Sequence, residues 1–196
     1  MNNNIIKKEI EEKLIKQVKE TRYKHVKSVQ SFANELIKSH KIRNQNIIEN
    51  IEIAILSHDL YRDLSKEQLL NLADKYGIIP NEIEQTSPIL LHGKIAAEYI
   101  RKKYNANQST YRAVYFHTGG NVNLDIIGKI LIISDNLERK RDFKNVSSLR
   151  EVSFKNLEEG FYEVIKNKMK YALIKNLPIL KETYILYNKL RGEKDV

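Results

Sequence analysis

The 196-residue chain contains no cysteine. That absence excludes a disulfide framework, zinc ribbons, iron-sulfur clusters and any thiolate nucleophile, so a bound metal would have to rely on imidazole and carboxylate. No apolar run approaches the roughly 20 residues needed to cross a bilayer, and the polar start Met1–Asn4 carries no secretory core. A cytoplasmic protein without a membrane association is expected. Proline is scarce as well: Pro80, Pro88 and Pro178 are the only three, and each falls between apolar segments. Neither alternating strand patterns, internal repeats nor low-complexity linkers are visible.

What is present is helical periodicity. Ile6, Ile10, Leu14 and Val18 recur every four residues and predict a helix over Ile5–Glu20. Val26 to Ile37 predicts a second helix with His25 in its first turn, and the mostly apolar segment Ile47–Leu60 predicts a third, central one. Ser65 should cap a helix over Lys66–Tyr76 that Gly77 ends. Pro88 suits the first turn of a helix running to Ile100, with His92 on its opening turn. Ser109–His117, Leu124–Leu137, Phe154–Lys175 and Ile179–Leu190 complete the expected set, and Gly192–Val196 reads as a polar tail. The fold expected is all-α, a single-domain helical bundle over 1–196, with its functional core at about 20–142 and C-terminal helices at about 150–190.

The formal charge is +9, which favours anionic partners, nucleic acid or nucleotide phosphates; a codon bias toward Lys, Ile and Asn explains it equally well. The histidines say more. Four of the five, His25, His58, His92 and His117, sit at edges of apolar segments, and Asp59 and Asp135 share that habit. Each has an ordinary alternative: His25 as a surface or capping residue, His92 as a core hydrogen-bonder, His117 as a cation on a helix C-terminus. Asp135 could pair with Arg139. Those alternatives leave unexplained why the polar interruptions of five apolar segments are all His or Asp, the residues that bind divalent metals. Separations of 33 residues from His25 to His58, 33 from Asp59 to His92, 25 to His117 and 18 to Asp135 exclude a local finger. Side chains from separate helices must converge on an interior site, where a cation would offset the desolvation of the carboxylates.

His25, the His58-Asp59 pair, His92-Gly93, His117-Thr118 and Asp135 resemble the ligand set of the HD-domain superfamily of metal-dependent phosphohydrolases. Arg22-Tyr-Lys-His25, His58-Asp-Leu-Tyr-Arg-Asp63, Leu90-Leu-His-Gly93, His117-Thr-Gly-Gly120 and Arg141-Asp-Phe143 are further similar in order and spacing to its YqeK subgroup, whose members split diadenosine tetraphosphate symmetrically into two ADP. The resemblance spans roughly residues 20 to 175. It implies two divalent ions, iron or alternatively manganese. His25, His58, Asp59 and Asp135 would hold one, and Asp59 would bridge to a second on His92 and His117. It also implies a metal-activated hydroxide as nucleophile, a nucleotide as substrate, and Arg62 as the cation beside the reacting phosphate, where the family usually has lysine. Asp63 would orient Arg62 or water, or else cap the following helix. Thr118 and Gly119 would line the phosphate path, in a Thr-Gly-Gly segment where relatives have Thr-Thr-Gly. Arg141 would grip a distal phosphate or stand as a surface arginine, and Asn136 replaces a lysine.

Two other readings compete. One is a hydrolase of the same family acting on a deoxynucleotide or an alarmone; the other is a basic nucleic-acid module with structural histidines, for which no motif speaks. Phe161, Tyr184 and Leu186 would serve either as a homodimer face or as core.

Overall fold

A computed structural model describes residues 2–193, which form helices and turns without a strand. The first four helices are α1 (Asn3–Gln17), α2 (Glu20–Ser39), α3 (Gln45–Ser57) and α4 (Lys66–Tyr76). A short α5 (Glu82–Thr86) and a 3₁₀ turn, Pro88–Leu91, lead into α6 (His92–Tyr104) and α7 (Gln108–Phe116). Then follow α8 (Ile126–Leu137), α9 (Val146–Lys155), α10 (Leu157–Ile174) and α11 (Lys181–Gly192). None of these helices is long and apolar enough to cross a membrane.

Local chemistry sets most of the boundaries. Ser65 and Gln68 exchange side-chain and backbone hydrogen bonds in a capping box, and Gly77 closes α4 in the left-handed conformation at φ 73°. Asn44, Asn107 and Asp125 cap α3, α7 and α8 by accepting from backbone N–H groups inside the first turn. Because Val18 and Lys19 are extended, α2 starts at Glu20, which places His25 in its second turn rather than its first. Two helices have no counterpart in the periodicity. α5 is a single turn held by a capping box between Asn81 and Glu84, too short to show a stripe. α9 is separate from α10 because Asn156 is extended and its side chain accepts from Glu159 N–H, breaking the helix expected from Phe154 onward. At the far end, Gly192 closes α11 instead of opening the tail; Lys194–Val196 lie outside the described residues.

The two most apolar helices occupy the middle. α3 packs against α1, α2, α7 and α8, while α8 packs against α2, α3, α7 and α10. Around them are two apolar clusters. The first gathers Ile10, Leu14, Val29, Ile51, Ile55, Ile95 and Ile130 among others; the second gathers Phe32, Leu36, Ile133, Leu137, Leu149, Phe161, Ile165 and Leu186. α2 and α8 contribute to both, so neither can tilt without disturbing the whole interior. Of the three residues considered for a dimer face, Phe161 and Leu186 are in the second cluster, whereas Tyr184 is exposed.

The fifth histidine belongs to this scaffold: His40 Nε2–H donates to the Ser153 carbonyl at 2.7 Å, tying the end of α2 to α9. Ser153 is further fixed by its own hydroxyl, which donates to the Leu149 carbonyl at 2.8 Å. Facing it is Gly160 of α10, where an added Cβ would lie 2.5 Å from Ser153 Cα. Helix propensity alone predicts that Gly160→Ala gains up to about 1 kcal/mol. The backbone contact reverses that sign, and the variant should lose about 1–3 kcal/mol, the usual cost of overpacking, in chemical denaturation.

Candidate metal centre

Helix ends deliver the polar residues. His25 projects from α2, His58 and Asp59 follow the last turn of α3, His92 opens α6, His117 follows α7, and Asp135 lies near the end of α8. All six converge. His25, His58 and Asp135 form one group able to hold a metal ion and Asp59, His92 and His117 another, the ligand atoms of each lying within 4.8 Å of one another. Asp59 joins the two groups. Its Oδ2 is 3.6 Å from His58 Nε2 and 3.8 Å from His25 Nε2, while its Oδ1 is 3.3 Å from His92 Nε2.

Three of the imidazoles are oriented by one device. The Nδ1 of His58, His92 and His117 lies 2.7, 2.5 and 2.8 Å from the carbonyl oxygens of Ile55, Ile89 and Val114, each three residues earlier. A carbonyl only accepts, so Nδ1 carries the hydrogen and Nε2 presents a bare lone pair to the site. Two consequences follow. His58 Nε2 is buried without a partner among the described residues. His92 Nε2 and His117 Nε2 face each other at 3.0 Å, lone pair toward lone pair. Uncompensated, a buried unsatisfied polar group costs about 1–3 kcal/mol. A proton on His117 is disfavoured, since burial and the neighbouring His92 and His58 push its pKa down to about 3. A cation relieves both defects, and the N/O donor set suits a divalent metal.

His25 differs. Its Nε2 is 3.0 Å from Asp135 Oδ1 and its Nδ1 is 3.3 Å from Glu138 Oε1, so both ring nitrogens face carboxylates. Burial would lower its pKa, but the hydrogen bond to Asp135 and the charges of Asp135 and Asp59 outweigh it and raise the value. Asp59 and Asp135 move the other way. Burial opposes their ionisation, yet the histidines around them, with Arg22 beside Asp59, hold both well below the usual carboxylate range.

Sequence reasoning assigned no role to Glu138, Arg22 or Lys168. Glu138 is buried, accepts from Ser28 Oγ–H and from Lys140 N–H, and holds the outer nitrogen of His25. Its signal was the one-turn spacing from Asp135. Arg22 Nη1 donates to Asp59 Oδ2 at 2.9 Å. The Arg139 partner considered for Asp135 is Glu35 instead, and Arg139 stacks over Phe32 and Phe154. Asp135 is met by Arg141, whose Nη2 is 3.3 Å from Oδ1 and whose Nε–H donates to the Asp135 carbonyl at 3.1 Å.

A cavity of about 260 Å³ opens over the centre, walled by Arg22, Arg62, Thr118, Arg141 and Lys168 together with Asp59, His92, His117 and Asp135. Arg62 forms no ion pair among the described residues. Asp63 does not cap α4, a task Ser65 performs; it accepts from Lys19 N–H at 2.9 Å and lies 3.7 Å from Arg22 Nε, anchoring the start of the helix that carries His25. Thr118 Oγ1 is 3.4 Å from His117 Nε2 at the cavity wall. Gly119 sits behind it, buried against Leu180, its carbonyl taken by Thr183 Oγ–H at 2.6 Å. Gly93 has a different role: a Cβ there would lie 2.6 Å from the His117 ring, so glycine is required for the two histidines to approach.

The same architecture occurs in known proteins. The HD domain family profile matches residues 22–140. A protein of Bacillus subtilis named symmetrical bis(5'-nucleosyl)-tetraphosphatase is 25% identical over 89% of this chain and 91% of its own. One of Halalkalibacterium halodurans with the same name is 27% identical over the same shares. A crystal structure from Clostridium acetobutylicum, described as a predicted HD superfamily hydrolase involved in NAD metabolism, superposes with a TM-score of 0.84 at 26% identity, covering 95% of this chain and 97% of that one.

Two outcomes are expected. Gly93→Ala should displace the His117 ring and lower bound metal at least severalfold, measured by elemental analysis, while helix content by circular dichroism is unchanged. Because the raised pKa of His25 means that its proton is held more tightly than in a free imidazole, a divalent ion must displace it. Metal affinity should therefore rise as pH increases through that value, and calorimetry in buffers of different ionisation enthalpy should record proton release. The family profile, the overlaid fold and the convergence of His25, His58, Asp59, His92, His117 and Asp135 agree, and the chain belongs to the HD-domain family of hydrolases.

Proposed function

We propose that this chain hydrolyses diadenosine tetraphosphate symmetrically to two ADP, acting in the cytoplasm with two divalent ions, iron in the first place and manganese as its substitute. One observation carries the reading: a single buried carboxylate, Asp59, turns one oxygen toward each of two groups of imidazoles, beneath a cavity walled by cations. The names of the relatives, aligned over 84–91% of both chains, supply the substrate. His25, His58 and Asp135 would hold one ion, His92 and His117 the other, with Asp59 between them. When bound, a metal pair lowers the pKa of a water and neutralises phosphate charge, the two main requirements of in-line attack on phosphorus.

The chain's own groups then have separable tasks. Backbone carbonyls at Ile55, Ile89 and Val114 keep the Nε2 atoms free by holding a hydrogen on Nδ1. Arg62, unpaired at the cavity wall, contacts a non-bridging phosphate oxygen and stabilises charge there. An arginine at position 62 is a poor proton donor, so its task is electrostatic. Asp63 positions Arg22 and the start of α2. Thr118 offers a hydroxyl to the phosphate path, with Gly119 as the buried support behind it, and Arg141 reaches a more distal phosphate from the Asp135 side. Water adds to one of the two central phosphorus atoms, the bridging oxygen leaves with the other half, and both products are nucleoside diphosphates. All six candidate ligands come from one chain, so a homodimer is not needed to complete the site.

Product identity tests the proposal. Metal-loaded protein should convert diadenosine tetraphosphate to ADP alone on anion-exchange chromatography; ATP plus AMP would reject symmetric cleavage. Turnover of a deoxynucleotide or an alarmone in preference to diadenosine tetraphosphate would transfer the reaction to another nucleotide.

A further inference from the structure

Two of the four cations lining the cavity are already engaged. Arg22 pairs with Asp59 and Asp63, and Arg141 with Asp135 and Glu138. Two cavity-lining cations are not: Arg62 and Lys168 make no ion pair and no side-chain hydrogen bond among the described residues. Arg62 rises from the loop that carries Asp59, its backbone N–H bonded to the Asp59 carbonyl at 3.0 Å. Lys168 comes from α10, partly buried; burial disfavours its charged form and lowers its pKa, with the charge of Asp135 opposing and that of Arg141 adding to the effect. The unmatched positive charges thus line one cavity from different elements, Arg62 from the turn after Asp59 and Lys168 from α10.

Placing an ammonium in a half-closed cavity without a carboxylate partner is costly unless an anion arrives to meet it. The metal centre itself demands only one phosphate, and a mononucleotide would leave one of the two cations unmet. We infer that Lys168 is a substrate-binding residue, and that it and Arg62 grip two different phosphates of one chain, so the site selects linear polyphosphates over single phosphate groups. Lysine suits the task as a mobile point charge able to follow a flexible chain of phosphates. The inference rests on the functional reading above and deepens it, since it assigns phosphate-number specificity to a residue of α10, outside the span 22–140 matched by the family profile.

The test compares metal-loaded wild type with Lys168→Met and Lys168→Arg, with diadenosine tetraphosphate as substrate and orthophosphate as competitive inhibitor. Lys168→Met should lower kcat/KM at least tenfold. Lys168→Arg should stay within threefold, and the orthophosphate inhibition constant, metal content and Tm should remain within twofold, twofold and 2 °C of wild type. A loss under threefold in Lys168→Met, or an equal loss of orthophosphate affinity or metal, overturns the assignment and marks Lys168 as a support of the fold or centre. Wild type inactive on the substrate would instead remove the functional reading beneath it.

Discussion

The structure turns on one constraint: four imidazoles and two carboxylates share a pocket from which water is largely excluded, and their charges and lone pairs must be satisfied there. Asp59 is the pivot. Its two oxygens serve separate groups, and its charge is held against the opposing effect of burial by His58, His92 and Arg22. Taking an ion out of water costs several kcal/mol even after relaxation, so an arrangement of this kind is stable only when every member has a counterpart. The lone pairs of His58, His92 and His117 are the places where a cation would supply the missing counterpart.

Holding six side chains from five helices to within a few tenths of an ångström is a packing problem before it is a chemical one. α2 and α8, which carry His25 and Asp135, each contribute to both apolar clusters, and α3, which delivers His58 and Asp59, is enclosed on most sides. Dense packing turns those helices into rigid mounts. Backbone carbonyls finish the work locally, since a histidine at a helix end finds an acceptor three residues back and needs no separate orienting side chain. Where that device is missing, at His25, Glu138 takes its place.

Over this negative floor lies a positive wall, and the division has a physical logic. Arginines paired to the centre's carboxylates support the ligands as much as any substrate, while Arg62 and Lys168 have no ion-pair partner among the described residues. A phosphate chain needs both kinds of neighbour: metals at the reacting phosphorus and cations along its length.

The all-helical character and most elements were legible from the chain alone, because a stripe repeating every three to four residues has only one regular explanation and caps such as Ser65 and Gly77 act locally. The short α5 and the break at Asn156 were not, since a single turn has no period and an apolar stripe continues across the interruption. For the centre, residue type and edge position singled out His25, His58, Asp59, His92, His117 and Asp135. Their union, however, was implied by resemblance and by the absence of any other account. What only the tertiary structure decided was everything set by distance between helices: which oxygen of Asp59 faces which imidazole, that Asp135 meets Arg141 and not Arg139, that Glu138 and Arg22 stand behind the ligands, and that Lys168 arrives from α10. Sequence records the chemistry each residue carries and its phase on its own helix; the rotation and approach of one helix against another come from packing the apolar clusters, which no single segment encodes.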